Sequence, residues 1–497
     1  MTERYVEDAR AGARDARGAA VNVLGIVAQA TLPAFHVQLA RWLGAAGYGL
    51  YTWSAMFVDL FSVVTLFGCD QAVMRQVSLS GRASAASVGS ALRIVLVSGL
   101  VVFVGIFTAA PSIAAFVGKP GVVGPLRCLA IVPLFYHAAT IFLVATQALG
   151  VMRWAFWARS IAQPVVLLAT TSIALRAGMG PSGAAVAVAI GMAATAFFAA
   201  MLYARELPLG ETLRAVFTGK LDRETLRVAV PLVLANLLWA LVARIDSFFL
   251  GKYGDATELG AYAACALYAA SISQIRGAFE PVASSLVAPA LARHDEKGLS
   301  DAIARQTRWL ALCAFPLAAL LVGFGDPLLA VFGHGFSQGT LALAVLAVGH
   351  TVNALALSSF ALPLSGNARY TTYVALGALV FQGALCALLV PRWGLFGAAC
   401  ALSAGLVFAQ TAQMIIAARV VGVVSITPRL LAVLACAIAA LVCGRIAYAS
   451  LVAPILLRFA MGVGLAAVVY AISAWVFALT RGDRDLARAA LRRVRVL

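Results

Sequence analysis

The segment "GMGPSGAAVAVAIG" at residues 178–191 is repeated later in the chain as "RWGLFGAACALSAG" at residues 392–405. In both copies, small residues recur at matching positions with helical spacing. This spacing places small side chains along one face of a helix, where a neighbouring helix can approach closely. The duplication predicts two lobes of similar structure. The matched positions are Gly180, Gly183, Ala187 and Gly191 in the first copy, and Gly394, Gly397, Ala401 and Gly405 in the second.

Two further pairs of segments support the duplication. "TQALGVMRW" at 146–154 resembles "PLSGNARYT" at 363–371, and "LGAAGYGLYTW" at 43–53 resembles "LGKYGDATELGAYAA" at 250–264. Each copy contains six predicted membrane spans, so we expect the two lobes to have the same orientation in the membrane. Parallel repeats of this kind, related by an axis along the membrane normal, are typical of alternating-access transporters.

Apolar residues dominate the composition. Of the 497 residues, 63% are hydrophobic and only 11% are charged, whereas soluble domains are about 45–50% apolar and about 25% charged. The sequence therefore predicts an all-α polytopic membrane protein with about 14 transmembrane helices of about 20 residues each. The predicted spans are 18–40, 49–68, 91–113, 126–148, 156–175, 182–203, 228–250, 260–290, 307–325, 339–365, 371–390, 395–418, 430–449 and 455–479.

The spans predict an organisation of two six-helix lobes followed by two C-terminal helices. The linker between the lobes is charged and amphipathic, and we expect it to lie on the cytoplasmic membrane surface. The predicted parts are a cytoplasmic N-terminal segment at 1–17, an N-lobe at 18–203, the linker at 204–227, a C-lobe at 228–420, spans 13 and 14 within 421–480, and a basic cytoplasmic tail at 481–497.

The formal net charge of +17 reflects membrane topology. Most Lys and Arg residues lie in loops on the side of the N-terminus, and few, including Arg392, Arg445 and Arg458, lie on the opposite side. By the positive-inside rule, both termini are cytoplasmic. Contact with anionic lipid headgroups accounts for the remaining charge, so nucleic acid is not a predicted partner.

Motifs for catalysis and cofactor binding are absent from the sequence. It contains no GxxxxGK phosphate loop, no HExxH and no cysteine–histidine metal spacing, and no extramembrane segment is long enough for a soluble catalytic domain. We therefore predict a protein that is not an enzyme and that has no cofactor or bound metal. Transport driven by nucleotide hydrolysis within this chain is also excluded.

Five charged residues fall within predicted spans: Asp59, Arg244, Asp246, Arg276 and Glu280. A charge at the bilayer centre costs about 2.5–3.5 kcal/mol, so these side chains must face protein or water. Arg276 and Glu280 are spaced i, i+4 and can meet on one helix face. Arg244 and Asp246 are two residues apart and point to different sides of a helix.

We interpret these charges as the lining of a hydrated cavity between the lobes. Arg244 and Arg276 would attract an anion, because guanidinium stays charged and binds phosphate through two parallel hydrogen bonds. A structural alternative stays open, in which Arg276 and Glu280 form a stabilising ion pair and Asp246 caps a helix end. The predicted cavity residues are Arg276, Arg244, Asp59, Glu280, Asp246, His36, Asn236, Gln274 and Asn353.

Six segments, in order along residues 20–420, resemble a known group of exporters. They are similar to the polysaccharide-export, O-antigen flippase-like branch of the multidrug/oligosaccharidyl-lipid/polysaccharide exporter superfamily. The segments are "RWLGAAGYGLYTW" at 41–53, "LFGCDQAVMRQVS" at 66–78, "ARIDSFFLG" with "LGAYAACALY" within 243–268, "FEPVASSLVAPALAR" at 279–293, "PLLAVFGHGF" at 327–336 and "LVPRWGLFGAACALSAG" at 389–405.

The resemblance implies a flippase that moves an undecaprenyl-diphosphate-linked oligosaccharide, an O-antigen or exopolysaccharide repeat unit, from the inner to the outer leaflet of the bacterial inner membrane. It also implies two six-helix lobes plus two extra helices, with cavity arginines for the pyrophosphate, and Arg276 is the position that matches best. The implied partners are the lipid-linked substrate, membrane lipids and glycan polymerase or assembly proteins.

The sequence leaves three alternative functions open. A lipid II flippase would use the same mechanism with a different head group. A cation-coupled multidrug exporter of the same superfamily is disfavoured because some similar exporters use a carboxylate in the first span, and span 18–40 has none. A scaffold or polymerase partner would not need a charged cavity, and would tolerate replacement of Arg276.

Overall fold

The computed structural model of the chain describes residues 31–66, 68–80, 85–218, 233, 236–293, 296–425, 427–451 and 454–479. Within these residues the regular secondary structure is entirely helical, which confirms the predicted all-α class. The predicted N-terminal segment at 1–17, the first part of span 18–40, residues 219–227 of the linker and the basic tail at 481–497 lie outside the described residues.

The chain forms two compact units. The first comprises residues 1–244 with 255–260, and the second comprises residues 245–254 with 261–497. The helices of the first unit are α1 (Thr31–Leu66), α2 (Cys69–Ser80), α3 (Ala85–Val117), α4 (Val123–Leu129), α5 (Val132–Ala148), α6 (Arg153–Ala155), α7 (Gln163–Arg176), α8 (Gly180–Tyr203), α9 (Leu209–Thr218) and α10 (236–242). A π-helical segment, Phe156–Ala162, joins α6 to α7.

The second unit is built from a similar number of helices. They are α11 (Ile245–Tyr253), α12 (Ala256–Ala292), whose first residues belong to the first unit, α13 (Glu296–Gly323), α14 (Gly325–Ala330), α15 (Thr340–Leu355), α16 (Ala361–Leu364), α17 (Ala368–Val420), α18 (Arg429–Ser450) and α19 (Ile455–Ser473). A π-helical segment, Ala474–Ala478, follows α19.

Two glycines break long helical stretches. Gly44 in α1 has φ 67° and ψ 174°, and Gly394 in α17 has φ 50° and ψ −128°. L-residues with a Cβ rarely adopt such conformations, whereas glycine adopts them without steric cost. Each stretch is therefore two helices joined at a glycine, and each break falls where the sequence predicts a boundary between spans.

One pair of repeated segments ends a helix in the same way in both units. Gly150 has φ 82° and Gly366 has φ 78°. The next residue donates back to the helix in each case, Val151 N to Thr146 O at 3.0 Å and Asn367 N to Leu362 O at 2.9 Å. This is the Schellman C-cap, in which a left-handed glycine satisfies the last helical carbonyls. The sequence duplication at 146–154 and 363–371 is thus reproduced in the structure.

Ten helical segments among the described residues are long and apolar enough to cross a membrane. This confirms a multi-pass membrane protein, while the count of 14 spans remains a prediction. Several predicted spans merge or break: α1 and α17 each contain two, and span 228–250 is interrupted by a turn at Ala243 and Arg244. Span 339–365 ends early, because α15 stops at Leu355 and a 3-10 turn follows.

Small residues allow close helix packing within each unit. An added Cβ at Gly191 of α8 would lie 2.8 Å from Leu167 of α7, and one at Gly405 would lie 2.6 Å from Gln382. A Cβ at Gly260 would lie 2.0 Å from the carbonyl oxygen of Ala45, so residues 255–260 pack directly on α1 within the first unit. The predicted role of the small-residue series in helix contact is consistent with these distances.

The linker helix α9 packs against α3 in the first unit. Thr212 and Val216 are buried in this contact, and the Thr212 hydroxyl lies 2.9 Å from the Tyr203 hydroxyl at the end of α8. Phe217, by contrast, is 82% exposed. The helix is therefore amphipathic in structure, with one face held by α3 and α8.

Candidate functional site

Arg276 on α12 is a charged residue of the second unit that several contacts hold in place. Its Nε donates to Glu280 Oε1 at 3.1 Å, one terminal nitrogen donates to the backbone carbonyl of Asn353 at 2.8 Å, and the other donates to Ser359 Oγ at 2.9 Å. The guanidinium also lies over the Phe360 ring, 5.1 Å from its centroid. The side chain is 13% exposed, so α12, the end of α15 and the segment after it hold the cation in one position.

The guanidinium retains hydrogen-bonding capacity. Arginine has five N–H donors, and the three contacts with Glu280, Asn353 and Ser359 use three of them. One N–H remains on each terminal nitrogen without a partner among the described residues. Each of these two N–H groups can donate to an oxygen of a phosphate or carboxylate. The ion pair with Glu280 and an anion-binding role are therefore geometrically compatible.

A chain of neutral polar groups lies one helical turn from Arg276. Gln410 Nε2 donates to Asn353 Oδ1 at 2.8 Å, and Asn353 Nδ2 donates to Ser273 Oγ at 2.8 Å. The same Ser273 hydroxyl lies 2.8 Å from His350 Nδ1. Because Ser273 accepts from Asn353, its own proton is available for His350. Three helices, α12, α15 and α17, thus contribute to one connected polar network.

Arg244 has a partner in the first unit. Its terminal nitrogen lies 2.9 Å from Asp59 Oδ2 of α1, and the two side chains are 43% and 59% exposed. The sequence predicts both residues as cavity residues without predicting that they meet. An exposed pair of this kind gains little Coulomb energy, so both charges remain accessible to another ligand.

Asp246 lies in a different environment from its neighbour Arg244. It is only 1% exposed, and its carboxylate accepts hydrogen bonds from the Tyr262 hydroxyl and from Ser247 Oγ at 3.2 Å. The residue is in the first turn of α11, where the helix dipole favours a negative charge. This buried position fits the structural alternative better than an exposed cavity wall.

The remaining predicted residues do not join the Arg276 network. His36 Nδ1 lies 3.1 Å from the Tyr48 hydroxyl on the same helical stretch α1. Asn236, at the start of α10, and Gln274 on α12 are exposed. The structure therefore brings together Arg276, Glu280 and Asn353 as one cluster and Asp59 with Arg244 as a second.

Four members of the network are not among the predicted cavity residues: Ser273, His350, Ser359 and Gln410. Each is a common polar residue without a motif, separated from its partners by many positions. The only usable signal is Gln410 itself, an amide inside a strongly apolar span. Such a residue is expected to find a hydrogen-bond partner, because an unsatisfied polar group in hydrocarbon is costly.

Solved structures identify the fold. An inward-facing multidrug resistance MATE family transporter of the MOP superfamily superposes with a TM-score of 0.69 at 16% identity, covering 80% of this chain and 94% of that chain. The lipid II flippase MurJ in an inward closed conformation gives a TM-score of 0.69 at 12% identity, covering 94% and 99%. A MOP superfamily transporter from Pyrococcus furiosus gives 0.59 at 17% identity, covering 81% and 94%. The chain therefore has the fold of MOP superfamily transporters.

The sequence identifies the family more narrowly. Residues 38–338 match the family described as polysaccharide biosynthesis protein, and the chain belongs to this family. No curated protein shows a significant match to the sequence. The family match and the shared fold confirm the resemblance to the polysaccharide-export branch of the superfamily, and the long apolar helices confirm a multi-pass membrane protein.

Proposed function

We propose that the protein is a flippase that moves an undecaprenyl-diphosphate-linked oligosaccharide, an O-antigen or exopolysaccharide repeat unit, from the inner to the outer leaflet. Its family and fold supply the class of protein. Alternating access would carry the head group through the membrane while the polyprenyl tail remains in lipid. The protein itself forms no covalent intermediate with its substrate in this proposal.

The position of Arg276 is the single observation that carries the proposal. A largely buried guanidinium that is fixed by Glu280, Asn353 and Ser359 keeps two N–H donors for the diphosphate. Because the three protein contacts orient the group before the substrate arrives, little side-chain entropy is lost on binding. Glu280 also offsets the cost of keeping the cation in an apolar span when no substrate is bound.

The neutral network beside Arg276 suits the sugar part of the same substrate. Asn353, Ser273, His350 and Gln410 offer both donors and acceptors, as a carbohydrate hydroxyl requires. Arg244 and Asp59 in the first unit would supply a second charged contact, since both are exposed. Asp246, His36, Asn236 and Gln274 have weaker support as substrate contacts, because each lies outside these two groups.

The proposal includes a location and an orientation. The protein would lie in the bacterial inner membrane with both termini in the cytoplasm, as the distribution of Lys and Arg indicates. Membrane lipids would surround it, and glycan polymerase or assembly proteins would receive the translocated unit. Accessibility of single cysteines placed at Glu206 and at Ser450 to an impermeant reagent in intact cells tests the orientation, since only the second should react.

Leaflet transfer of the lipid-linked oligosaccharide tests the function. A strain lacking its own flippase would be complemented with wild type, Arg276→Ala, Arg276→Lys and the control Arg369→Ala at matched membrane abundance. Arg369 is exposed, so its replacement should leave transfer unchanged. We expect wild type to restore transfer and both Arg276 variants to fail, because lysine cannot supply two parallel donors.

The other outcomes distinguish the alternatives. Normal transfer by Arg276→Ala would overturn the cationic site and leave Arg276–Glu280 as a structural ion pair. Restoration of lipid II transfer alone would favour a lipid II flippase. Export of cationic drugs without any lipid-linked glycan would favour a cation-coupled multidrug exporter.

A further inference from the structure

An apolar cavity with a cationic end lies between α13, α18 and α19 of the second unit, away from the Arg276 network. Its volume is about 300 Å³, at the lower end of the range of about 300–1,000 Å³ seen for ligand pockets. The wall is aliphatic and aromatic, and its hydroxyl, on Tyr470, donates to the Leu312 carbonyl at 2.8 Å. The residues that line the cavity include Leu320, Phe324, Ala440, Ala467 and Tyr470.

Two arginines surround an aromatic cluster at the Phe324 end of the cavity. Arg445 lies 5.9 Å from the Phe324 ring centroid and 5.5 Å from that of Tyr448. Arg458 lies 4.6 Å from the Tyr448 centroid, and its Nε donates to the Tyr448 carbonyl at 2.9 Å. Both guanidinium groups are therefore held around one ring. Stacking on a ring leaves the edge N–H donors of a guanidinium available.

Close packing of α18 on α19 fixes this cluster. An added Cβ at Gly444 would lie 2.7 Å from the carbonyl oxygen of Gly462, and a Cβ at Gly462 would lie 3.1 Å from the Phe324 ring. The two helices cross backbone to backbone, and Phe324 rests on the crossing. The arginines, which lie on either side of the α18–α19 connection, are consequently held at one end of the cavity.

Neither arginine has an acidic partner in the part of the chain that the structure describes. The ion pairs there involve Arg153, Arg244 and Arg276. In addition, the sequence contains no Asp or Glu between Asp326 and Asp483, so α15 to α19 carry only positive charge. An uncompensated arginine pair beside an apolar cavity is complementary to a molecule with an anionic head and a hydrocarbon chain.

We infer that this cavity is a binding site for an anionic membrane phospholipid. Its phosphate would bind Arg445 and Arg458, and one acyl chain would enter the cavity along Leu320, Ala440 and Ala467. Most of α19 faces outward, with Leu456 78% exposed and Ile472 61% exposed, as expected of a helix in contact with lipid. The distribution of Lys and Arg predicts the α18–α19 connection at the outer surface, so the lipid would come from the outer leaflet.

Thermal unfolding of the full-length, delipidated protein in detergent tests the site. Phosphatidylglycerol should raise the midpoint of wild type, whereas phosphatidylcholine and glycerol 3-phosphate should not, because one has a zwitterionic head and the other lacks the chains. Arg445→Gln should weaken the apparent affinity for phosphatidylglycerol about fivefold. Arg445 is exposed and makes no hydrogen bond among the described residues, so the variant should fold normally.

A second pair of variants tests whether an acyl chain occupies the apolar cavity. Ala467→Phe fills the cavity from an exposed position of α19, while Ala471→Phe adds the same ring to the same helix outside the cavity. We expect only Ala467→Phe to abolish the phosphatidylglycerol shift. An unchanged shift in Arg445→Gln, or an equal shift with phosphatidylcholine, would overturn the inference. Preferential binding of undecaprenyl phosphate would overturn the phospholipid assignment and give the site to a polyprenyl lipid instead.

Discussion

Arg244 lies 2.9 Å from Asp59, a residue 185 positions earlier, although the acid nearest to it in sequence is Asp246. The boundary between the compact units falls directly after Arg244, so Arg244 and Asp246 belong to different units. Arg244 pairs with an exposed carboxylate in the first unit, whereas Asp246 is buried in the second and bonded by Tyr262. Two charges in one apolar run therefore have different environments: Arg244 is accessible to solvent, and Asp246 is buried and hydrogen-bonded.

Neutralising the exposed pair should affect transport more than stability. Asp59→Asn and Arg244→Gln should each change the free energy of unfolding by less than about 1 kcal/mol, because an exposed ion pair contributes little. If Arg244 contacts the diphosphate, Arg244→Gln should slow leaflet transfer. Thermal unfolding and the transfer assay on the same preparations check both points.

Exchanging the two charges tests whether transfer requires the cation at position 244 or only an ion pair between the two positions. The double variant Asp59→Arg with Arg244→Asp keeps the ion pair but moves the cation to α1. We expect normal stability with impaired transfer. Full transfer by the exchanged protein would show that only the net charge of the pair matters.

Replacing Asn353 should destabilise the second unit. Asn353→Leu keeps the approximate size of the side chain but removes the hydrogen bonds that the Asn353 amide forms with Ser273 and Gln410. Loss of one partner from a buried hydrogen bond costs about 1–3 kcal/mol. We expect a lower midpoint of thermal unfolding, and Gln274→Leu, at an exposed site on α12, should leave the midpoint unchanged.

Tyr262→Phe should be destabilising because it removes a donor from a buried carboxylate. The substitution preserves the ring and leaves Asp246 with one hydrogen bond fewer, at a cost of about 1–3 kcal/mol or more. Asp246→Asn should be milder, since its amide oxygen can still accept from Tyr262. Tyr253→Phe, at a 53% exposed site, is the control. A wild-type midpoint for Tyr262→Phe would mean that other contacts hold Asp246.

The break in α17 should depend on Gly394. Alanine at φ 50° and ψ −128° is strained, at a cost of about 1–3 kcal/mol. Gly394→Ala should therefore lower stability. Gly464→Ala, in regular helix α19 with open space around the added Cβ, should be neutral or stabilise by up to about 1 kcal/mol. Comparing the two unfolding midpoints separates backbone strain from the general effect of removing glycine.

Local patterns in the sequence predict most of the helices and the breaks between them. The apolar runs predict helices, and the breaks at Gly44 and Gly394 fall between predicted spans, because a change in hydrophobic pattern and a glycine coincide there. The interruption at Ala243 and Arg244 was not predicted. The run across this turn remains apolar, so composition gives no indication that the helix stops.

The site was less predictable than the fold. The spacing of Arg276 and Glu280 predicts their contact, since helical neighbours are determined by local sequence. The contacts of Arg276 with Asn353 and Ser359 join residues 77 and 83 positions apart, and depend on how α12 packs against the end of α15 and the segment after it. No periodicity in one sequence encodes such a contact.

The chain crosses the boundary between the two units more than once, and this limits how the protein can be split into fragments. Residues 255–260 complete the first unit, where Gly260 lies against Ala45, while residues 245–254, which precede them, belong to the second. No single cut in the chain can leave both units whole. Two separately expressed halves should therefore assemble poorly by fragment complementation, whatever the site of the cut.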